Sequence, residues 1–240
     1  MNRRFPRRLA IVLVCALVAG CSPGACLYGV STSNQESSAA QPSTPADPAA
    51  PPARPRVVAL GDSLTAGYGL LEAQAFPALL QKKIDENGYA FEVINAGVSG
   101  DTSAGGLRRL DWALDGNARV LIVALGANDG LRGLPIAEMK QNLGTIVDRA
   151  REKNVVVILA GMEAPPNYGP EYVQSFRNAY REVAASKRVL FIPFLLDQVA
   201  GVSTLNQPDG IHPNEEGTRI VSEAVWPVLR NVLDQMAGSQ

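Results

Sequence analysis

Only one position in the chain can supply an imidazole. His212 is the single histidine among 240 residues, and it lies in the segment DGIHP at residues 209–213. The ordinary pKa of imidazole lies near neutrality, so acid–base chemistry by this group is possible at one place only. Asp209, three residues earlier, can hold one ring nitrogen, and Ser63, in GDSL at residues 61–64, adds a hydroxyl that a base could activate. The three residues predict an acyl-transfer site with a serine nucleophile, a histidine base and an orienting aspartate.

Simpler interpretations of these residues stay open at this point. A Gly-Asp-Ser turn is common, and His212 could be a surface residue, since the Pro-Asn pair after it is typical of a helix start. Asp129 is an alternative acid, although it lies far from His212 in sequence. A metal centre is not predicted, because Asp209 and His212 have no further imidazole or thiolate ligands. No segment matches the glycine-rich loops that bind nucleotides, so no cofactor is expected.

Acyl transfer also requires N–H groups that stabilise the developing oxyanion. The backbone N–H of Ser63 is one candidate. The backbone of Gly97 is a second, because a residue without Cβ allows close approach, and the side-chain amide of Asn128 is a third. Gly97 and Asn128 also fit ordinary turn positions.

Hydrophobic residues from Arg56 onward follow a pattern of alternating strands and helices. Short β-branched runs predict five strands, at Val57–Leu60, Phe91–Ile94, Val120–Leu125, Val155–Leu159 and Val189–Ile192. Apolar residues at helical spacing lie between them and after the last one. This alternation predicts a single α/β domain over residues 56–236, a three-layer α/β/α sandwich on a mostly parallel five-stranded sheet. The candidate residues all follow predicted strands, so we expect them at the carboxyl edge of the sheet, where such folds bind ligands.

Four segments, in this order, resemble the motifs of the SGNH hydrolases, also called the GDSL family: GDSL at 61–64, NAG at 95–97, GAND at 126–129 and DGIHP at 209–213. Longer stretches at 61–70, 96–112 and 161–169 are similar to the bacterial branch that holds arylesterases and thioesterase I/protease I/lysophospholipase L1 enzymes. The resemblance covers residues 56–235 and implies a flavodoxin-like fold. It also implies a serine esterase that hydrolyses acyl esters or thioesters through an acyl-enzyme. Ser63, His212 and Asp209 would form its triad, and Ser63, Gly97 and Asn128 its oxyanion hole.

Apolar residues in the loops around these motifs indicate the substrate. We expect an acyl chain or aryl group to contact Leu131, Leu134, Met162, Pro165, Tyr168 and Ile211. Any of these residues could instead pack beneath its own loop. No aromatic platform for a sugar is evident, yet a carbohydrate O-acetyl esterase would use the same machinery. A binding lipoprotein without catalytic activity is the alternative outside the enzymes.

The first twenty residues have the features of an export signal. Four arginines at positions 3, 4, 7 and 8 precede the apolar run Leu9–Ala19, which is too short to span a bilayer but suits a signal peptide. The run ends in VAGC at 18–21, which resembles a bacterial lipobox. That resemblance implies cleavage of residues 1–20 and diacylation of the Cys21 thiol by fatty acids such as palmitate.

Residues 21–55 are rich in Ser, Ala and Pro and predict a flexible tether. Two acyl chains would attach it stably to a membrane, so we expect an exported lipoprotein on the periplasmic or cell-surface side. Cys26 would be an unpaired thiol. Removal of residues 1–20 takes away four arginines and no acid, which changes the formal net charge from −1 to −5. No basic patch remains, so a nucleic-acid partner is not expected.

Overall fold

A computed structural model describes residues 54–238, which belong to one compact unit, Ala50–Gln240. The predictions for the signal peptide, Cys21, Cys26 and the tether up to residue 53 lie outside the described residues. The strands are β1 Arg56–Gly61, β2 Glu92–Gly97, β3 Ala118–Ala124, β4 Val156–Ala160 and β5 Leu190–Ile192. The helices are α1 Ser63–Ala66, α2 Phe76–Glu86, α3 Ser103–Arg108, α4 Leu110–Ala113, α5 Ala127–Leu131, α6 Ile136–Glu152, α7 Pro170–Lys187 and α8 Glu215–Ala237, with single 3-10 turns at Glu72–Gln74, Pro166–Tyr168 and Ser203–Leu205.

The five strands form one parallel sheet in the order β2-β1-β3-β4-β5. This confirms the predicted α/β class and strand number. The chain passes from β1 to β2 in one direction and then to β3, β4 and β5 in the other. Because such crossovers are right-handed, α2 lies on the opposite face of the sheet from α6 and α7. The helices pack in pairs, α2 on α8 and α6 on α7, which covers both faces.

Burial follows the predicted apolar positions. Val57–Leu60 in β1 and Val120–Val123 in β3 are fully buried without alternation, as expected for central strands covered on both faces. The buried stripe of α6 includes Met139, Leu143, Ile146, Val147 and Ala150. Among residues 54–238, none of the helices combines the length and hydropathy needed to cross a bilayer.

The second strand extends three residues beyond its predicted end. β2 continues through Asn95 and Ala96 to Gly97, which pair with Ala59, Leu60 and Gly61 of β1. These three residues have low strand propensity, and pairing with the central strand overrides it. The extension moves Gly97 out of the loop and into the sheet.

Candidate active site

The carboxyl ends of β1, β2 and β3 open into a cleft of about 840 Å³. Ser63 follows β1, Gly100 follows β2, Asn128 follows β3, and His212 comes from the loop before α8. All four residues line this cleft. The predicted convergence of the strand ends therefore brings the candidate nucleophile and base into one site.

Ser63 is the first residue of α1, a single turn that follows β1 almost directly. Asp62 caps this turn, because its Oδ1 accepts the N–H of Leu64 at 3.0 Å. Gly67 ends the turn in the left-handed conformation, with a φ of 75°. The N–H of Ser63 has no acceptor within so short a helix, and its Oγ lies 2.9 Å from Nε2 of His212.

A single loop holds the aspartate and the histidine together. Asp209 Oδ1 accepts the backbone N–H groups of Ile211 at 2.9 Å and His212 at 3.0 Å, and its Oδ2 lies 2.7 Å from His212 Nδ1. These bonds, from the backbone and ring of His212 and then from Ile211, lower the pKa of Asp209 to about 2. The carboxylate is ionised at neutral pH and favours the tautomer with hydrogen on Nδ1. Nε2 is then free to accept a proton from Ser63.

Two residues that were not predicted from the sequence connect the loop of Asp209 and His212 to the segment that follows Ser63. The ring of Tyr68 lies against the imidazole of His212, with a centroid distance of 4.7 Å and an interplanar angle of 39°. Gln207 Nε2 donates to the carbonyl oxygens of Tyr68 at 2.7 Å and Pro213 at 3.0 Å. Tyr68 lies in a stretch that carries the family resemblance. Its type and spacing do not reveal a contact with a loop about 140 residues later.

Asp62 places a second carboxyl group next to the candidate nucleophile. It is only 1% exposed, and burial raises its pKa to about 6, against the opposing effects of the Leu64 N–H, His212 and the Asn128 amide. Its Oδ2 lies 3.3 Å from Asn128 Nδ2. The site thus contains one aspartate that stays ionised, Asp209, and one that takes up a proton just below neutral pH.

Of the three predicted oxyanion donors, Ser63 and Asn128 line the cleft. Asn128 Nδ2 donates at 2.9 Å to the carbonyl oxygen of Asp101 and makes the longer, 3.3 Å contact with Asp62. Of its two hydrogen bonds, the one to Asp101 is therefore the stronger and the one to Asp62 the weaker.

Gly97 is not brought to the cleft. Its N–H donates to Oδ1 of Asn95 at 3.0 Å, and a Cβ added here would lie 2.2 Å from the backbone nitrogen of Ala66. The missing side chain thus allows α1 to pack against β2. Gly100 lines the cleft instead, in a turn where its φ is 83°. Within residues 54–238, the N–H of Gly100 has no acceptor.

Four of the six predicted substrate contacts line the cleft, namely Leu131, Met162, Pro165 and Ile211. The other two brace the surrounding loops. The hydroxyl of Tyr168 donates to the carbonyl oxygen of Leu131 at 2.9 Å, and the carbonyl oxygen of Leu134 accepts from Tyr172 at 3.2 Å. Phe194 and Leu196, after β5, add apolar lining that the sequence did not indicate.

The alternative acid, Asp129, has a different role. It is buried and accepts the hydroxyl and the backbone N–H of Ser103, at 2.6 Å and 2.8 Å, at the start of α3. It does not contact His212. In the described part of the chain, no cluster of three or more histidine, cysteine or acidic residues is arranged to bind a metal ion.

A serine, a histidine and an aspartate joined by hydrogen bonds at the carboxyl edge of a parallel sheet define the class of serine hydrolases. The sequence model of the GDSL-like lipase/acylhydrolase family matches residues 59–220. The chain belongs to this family, and it is a serine ester hydrolase of the SGNH type.

Known proteins resemble the chain over most of their length. Esterase TesA of Pseudomonas aeruginosa is 43% identical over 178 residues, which cover 74% of this chain and 89% of that protein. Thioesterase 1/protease 1/lysophospholipase L1 of Escherichia coli K12 is 37% identical over 68% of this chain and 78% of its own length. The crystal structure of the psychrotrophic esterase EstA from Pseudoalteromonas sp., inhibited by monoethylphosphonate, superposes with a TM-score of 0.71 at 34% identity and covers 75% of this chain and 98% of that one.

Proposed function

We propose that Ser63 is the nucleophile, His212 the general base and Asp209 the orienting acid of an esterase that works through an acyl-enzyme. The observation that carries this proposal is the chain of contacts from Ser63 Oγ to His212 Nε2 at 2.9 Å and from His212 Nδ1 to Asp209 Oδ2 at 2.7 Å. Both distances are within hydrogen-bonding range, as proton transfer from serine requires.

The reaction follows from this order of contacts. As Ser63 Oγ attacks the ester carbonyl carbon, its proton moves to His212 Nε2 and the carbonyl π electrons move to oxygen. Collapse of the tetrahedral intermediate breaks the bond to the leaving oxygen, or sulfur in a thioester, which takes the proton from Nε2. Water then attacks the acyl-enzyme with the same proton transfers and releases the acid. Asp209 stabilises the imidazolium formed in each half-reaction.

The proposed oxyanion hole consists of the N–H groups of Ser63 and Gly100 and the side-chain amide of Asn128. Gly100 takes the place predicted for Gly97, because it lines the cleft and its N–H has no acceptor among residues 54–238. Asn128 would keep its 2.9 Å bond to Asp101 and exchange the longer contact with Asp62 for the oxyanion.

The apolar lining of the cleft supports an acyl chain or an aryl group as the bound moiety. Its apolar members include Met162, Ala164, Pro165, Phe194 and Leu196. The relatives named esterase and thioesterase/lysophospholipase support the same substrate classes. We therefore propose hydrolysis of aryl esters, acyl thioesters or lysophospholipids rather than deacetylation of carbohydrates.

Replacement of the nucleophile tests this proposal. Ser63→Ala should fold normally and lose turnover of a short aryl ester, whereas Ser186→Ala, at an exposed position of α7, should keep it. Incubation with an ethyl phosphonate ester should add one phosphonyl group to wild type, on the peptide containing Ser63, and none to Ser63→Ala. Near-wild-type turnover by pure Ser63→Ala would exclude Ser63 as the nucleophile.

We further propose that the mature protein is a lipoprotein attached to a membrane through diacylated Cys21. The basic and apolar N-terminal segments, the VAGC sequence and the Ser/Ala/Pro-rich tether support this. Cys21→Ser should move the protein from the membrane fraction to the soluble exported fraction of its host. Wild-type protein without a lipid adduct on its mature N-terminus would contradict the proposal.

A further inference from the structure

Arg109 is a mostly buried cation between α3 and α4. All three guanidinium nitrogens have acceptors. Nε donates to Asp101 Oδ2 at 2.6 Å, Nη1 to the carbonyl oxygen of Ala96 at 2.7 Å, and Nη2 to the carbonyl oxygen of Gly61 at 2.7 Å. Arg109 itself does not line the cleft.

Two of these acceptors lie at the ends of neighbouring strands. Gly61 is the last residue of β1, and Ala96 is the last but one of β2. The pairing of β1 with β2 ends at Gly61 and Gly97, and beyond it one backbone bond, from the N–H of Val98 to the carbonyl oxygen of Gly61 at 3.0 Å, continues the ladder. The guanidinium bridges the two strands where their pairing stops. Since Ser63 follows Gly61 after one residue, this bridge fixes the backbone that leads into the nucleophile.

The third acceptor connects Arg109 to the remaining oxyanion donors. Asp101 directly follows Gly100, and its N–H donates to the carbonyl oxygen of Val98 at 3.0 Å in the same turn. The carbonyl oxygen of Asp101 accepts Asn128 Nδ2 at 2.9 Å. The ion pair between Arg109 and Asp101, with side chains 17% and 18% exposed, therefore holds both the Gly100 turn and the acceptor that orients Asn128.

We propose that Arg109 is a positioning residue that fixes the oxyanion-binding groups of Ser63, Gly100 and Asn128 relative to one another. This inference rests on the function proposed above. A planar guanidinium can serve three acceptors in a fixed geometry, whereas a lysine keeps the charge but offers a point donor on a flexible stem. Oxyanion donors must be preorganised, and a displacement of about 1 Å can lower the rate about 10²-fold. Loss of the guanidinium should therefore act on kcat rather than on KM.

The test compares Arg109→Lys with Arg108→Lys, its neighbour in sequence, which is exposed. With a short aryl ester, Arg109→Lys should lower kcat about 10²-fold and leave KM within about threefold. The rate of inactivation by an ethyl phosphonate ester should fall in parallel, because that reaction also passes through an oxyanion. Arg108→Lys should match wild type in both assays. In Arg109→Ala, millimolar guanidinium chloride should restore part of kcat, and sodium chloride at equal ionic strength should not.

Wild-type kcat in folded Arg109→Lys, or a rise in KM at constant kcat, would overturn the proposal. So would a lower melting temperature with unchanged kcat, since that would assign Arg109 to stability alone. If neither Arg109 variant melts cooperatively, Asp101→Asn replaces them, because it removes the charge pair but keeps the carbonyl oxygen that Asn128 uses. It should lower kcat at constant KM, and unchanged kcat would equally overturn the proposal. Ser63→Ala distinguishes failure of the proposed function from failure of the Arg109 proposal. If Ser63→Ala stays active, the proposed function fails, whatever the Arg109 variants show.

Discussion

Asp62→Asn should remove an electrostatic penalty that the fold carries next to Ser63. Burial raises the pKa of Asp62 from 3.8 to about 6. At 1.36 kcal/mol per pH unit, this difference corresponds to about 3 kcal/mol. The folded protein binds the Asp62 proton more tightly than the unfolded chain does. Above about pH 6 the ionised carboxylate therefore destabilises the fold by about 3 kcal/mol relative to its neutral form.

The sign and the pH window of this effect follow from linkage. Between about pH 4 and pH 6 the native state holds a proton that the unfolded state has released, so the Asp62 contribution to stability falls as pH rises. Asp209 acts in the opposite sense and at lower pH. Its pKa is lowered to about 2, so its contribution is present above about pH 4 and is lost as pH falls toward 2. The two windows do not overlap.

The measurement is urea unfolding at pH values from 4 to 8 for wild type, Asp62→Asn and Asp197→Asn, which removes the same charge from an exposed position. The free energy of unfolding of Asp62→Asn relative to wild type should increase by about 2 kcal/mol from pH 4 to pH 7, because the unfolded carboxyl has already released more than half of its proton at pH 4. The Asp197→Asn difference serves as the control for the loss of one negative charge. An altered hydrogen bond between residue 62 and Asn128 would change the difference in the free energy of unfolding by the same amount at every pH, and so would not change its pH dependence. A pH-independent difference for Asp62→Asn, or one of opposite slope, would refute the reasoning.

Three further outcomes test the chemistry. Asn128→Ala should lower kcat by about 10²–10³ with little change in KM, because its amide would bind the oxyanion in the transition state; a raised KM at constant kcat would instead assign it to substrate binding. His212→Gln should lower kcat by about 10⁴ or more at neutral pH, since the chain has no other imidazole, and wild-type turnover would exclude histidine catalysis. Incubation with EDTA should leave ester hydrolysis unchanged, because the proposed steps use only groups of the chain and water. Activity lost to EDTA and restored by zinc would contradict those steps.

The sheet could be predicted because its central strands are buried on both faces. Such strands consist of continuous apolar runs, and the predicted bounds of β1, β3 and β4 agree with the structure to within about two residues. The end of β2 could not be predicted in this way. Asn95, Ala96 and Gly97 enter the sheet through pairing with β1, a long-range interaction that local propensity does not report.

The same distinction applies to the site. Asp209 and His212 are three residues apart, so their contact could be inferred from a single loop, and the scarcity of histidine left one candidate for the base. Because the predicted β2 ended too early, Gly97 was assigned to the loop after it. Gly100, which lies in that loop and lines the cleft, was therefore not considered. The bridge from Arg109 to Gly61 joins residues 48 apart in sequence. Its acceptors are backbone carbonyl oxygens, which no residue type reveals.

The separation of Ser63 from His212 by 149 residues has a consequence for folding. Ser63 lies directly after β1, whereas His212 lies after β5 and shortly before α8. A folding intermediate containing only β1, β2, β3 and α5 would already carry Ser63 and all three proposed oxyanion-binding groups, but it would lack His212. Hydrolytic activity during refolding should therefore appear only when the last quarter of the chain has docked. Activity should recover later than the spectroscopic signal of sheet formation, so the rate of its recovery measures the final step of folding.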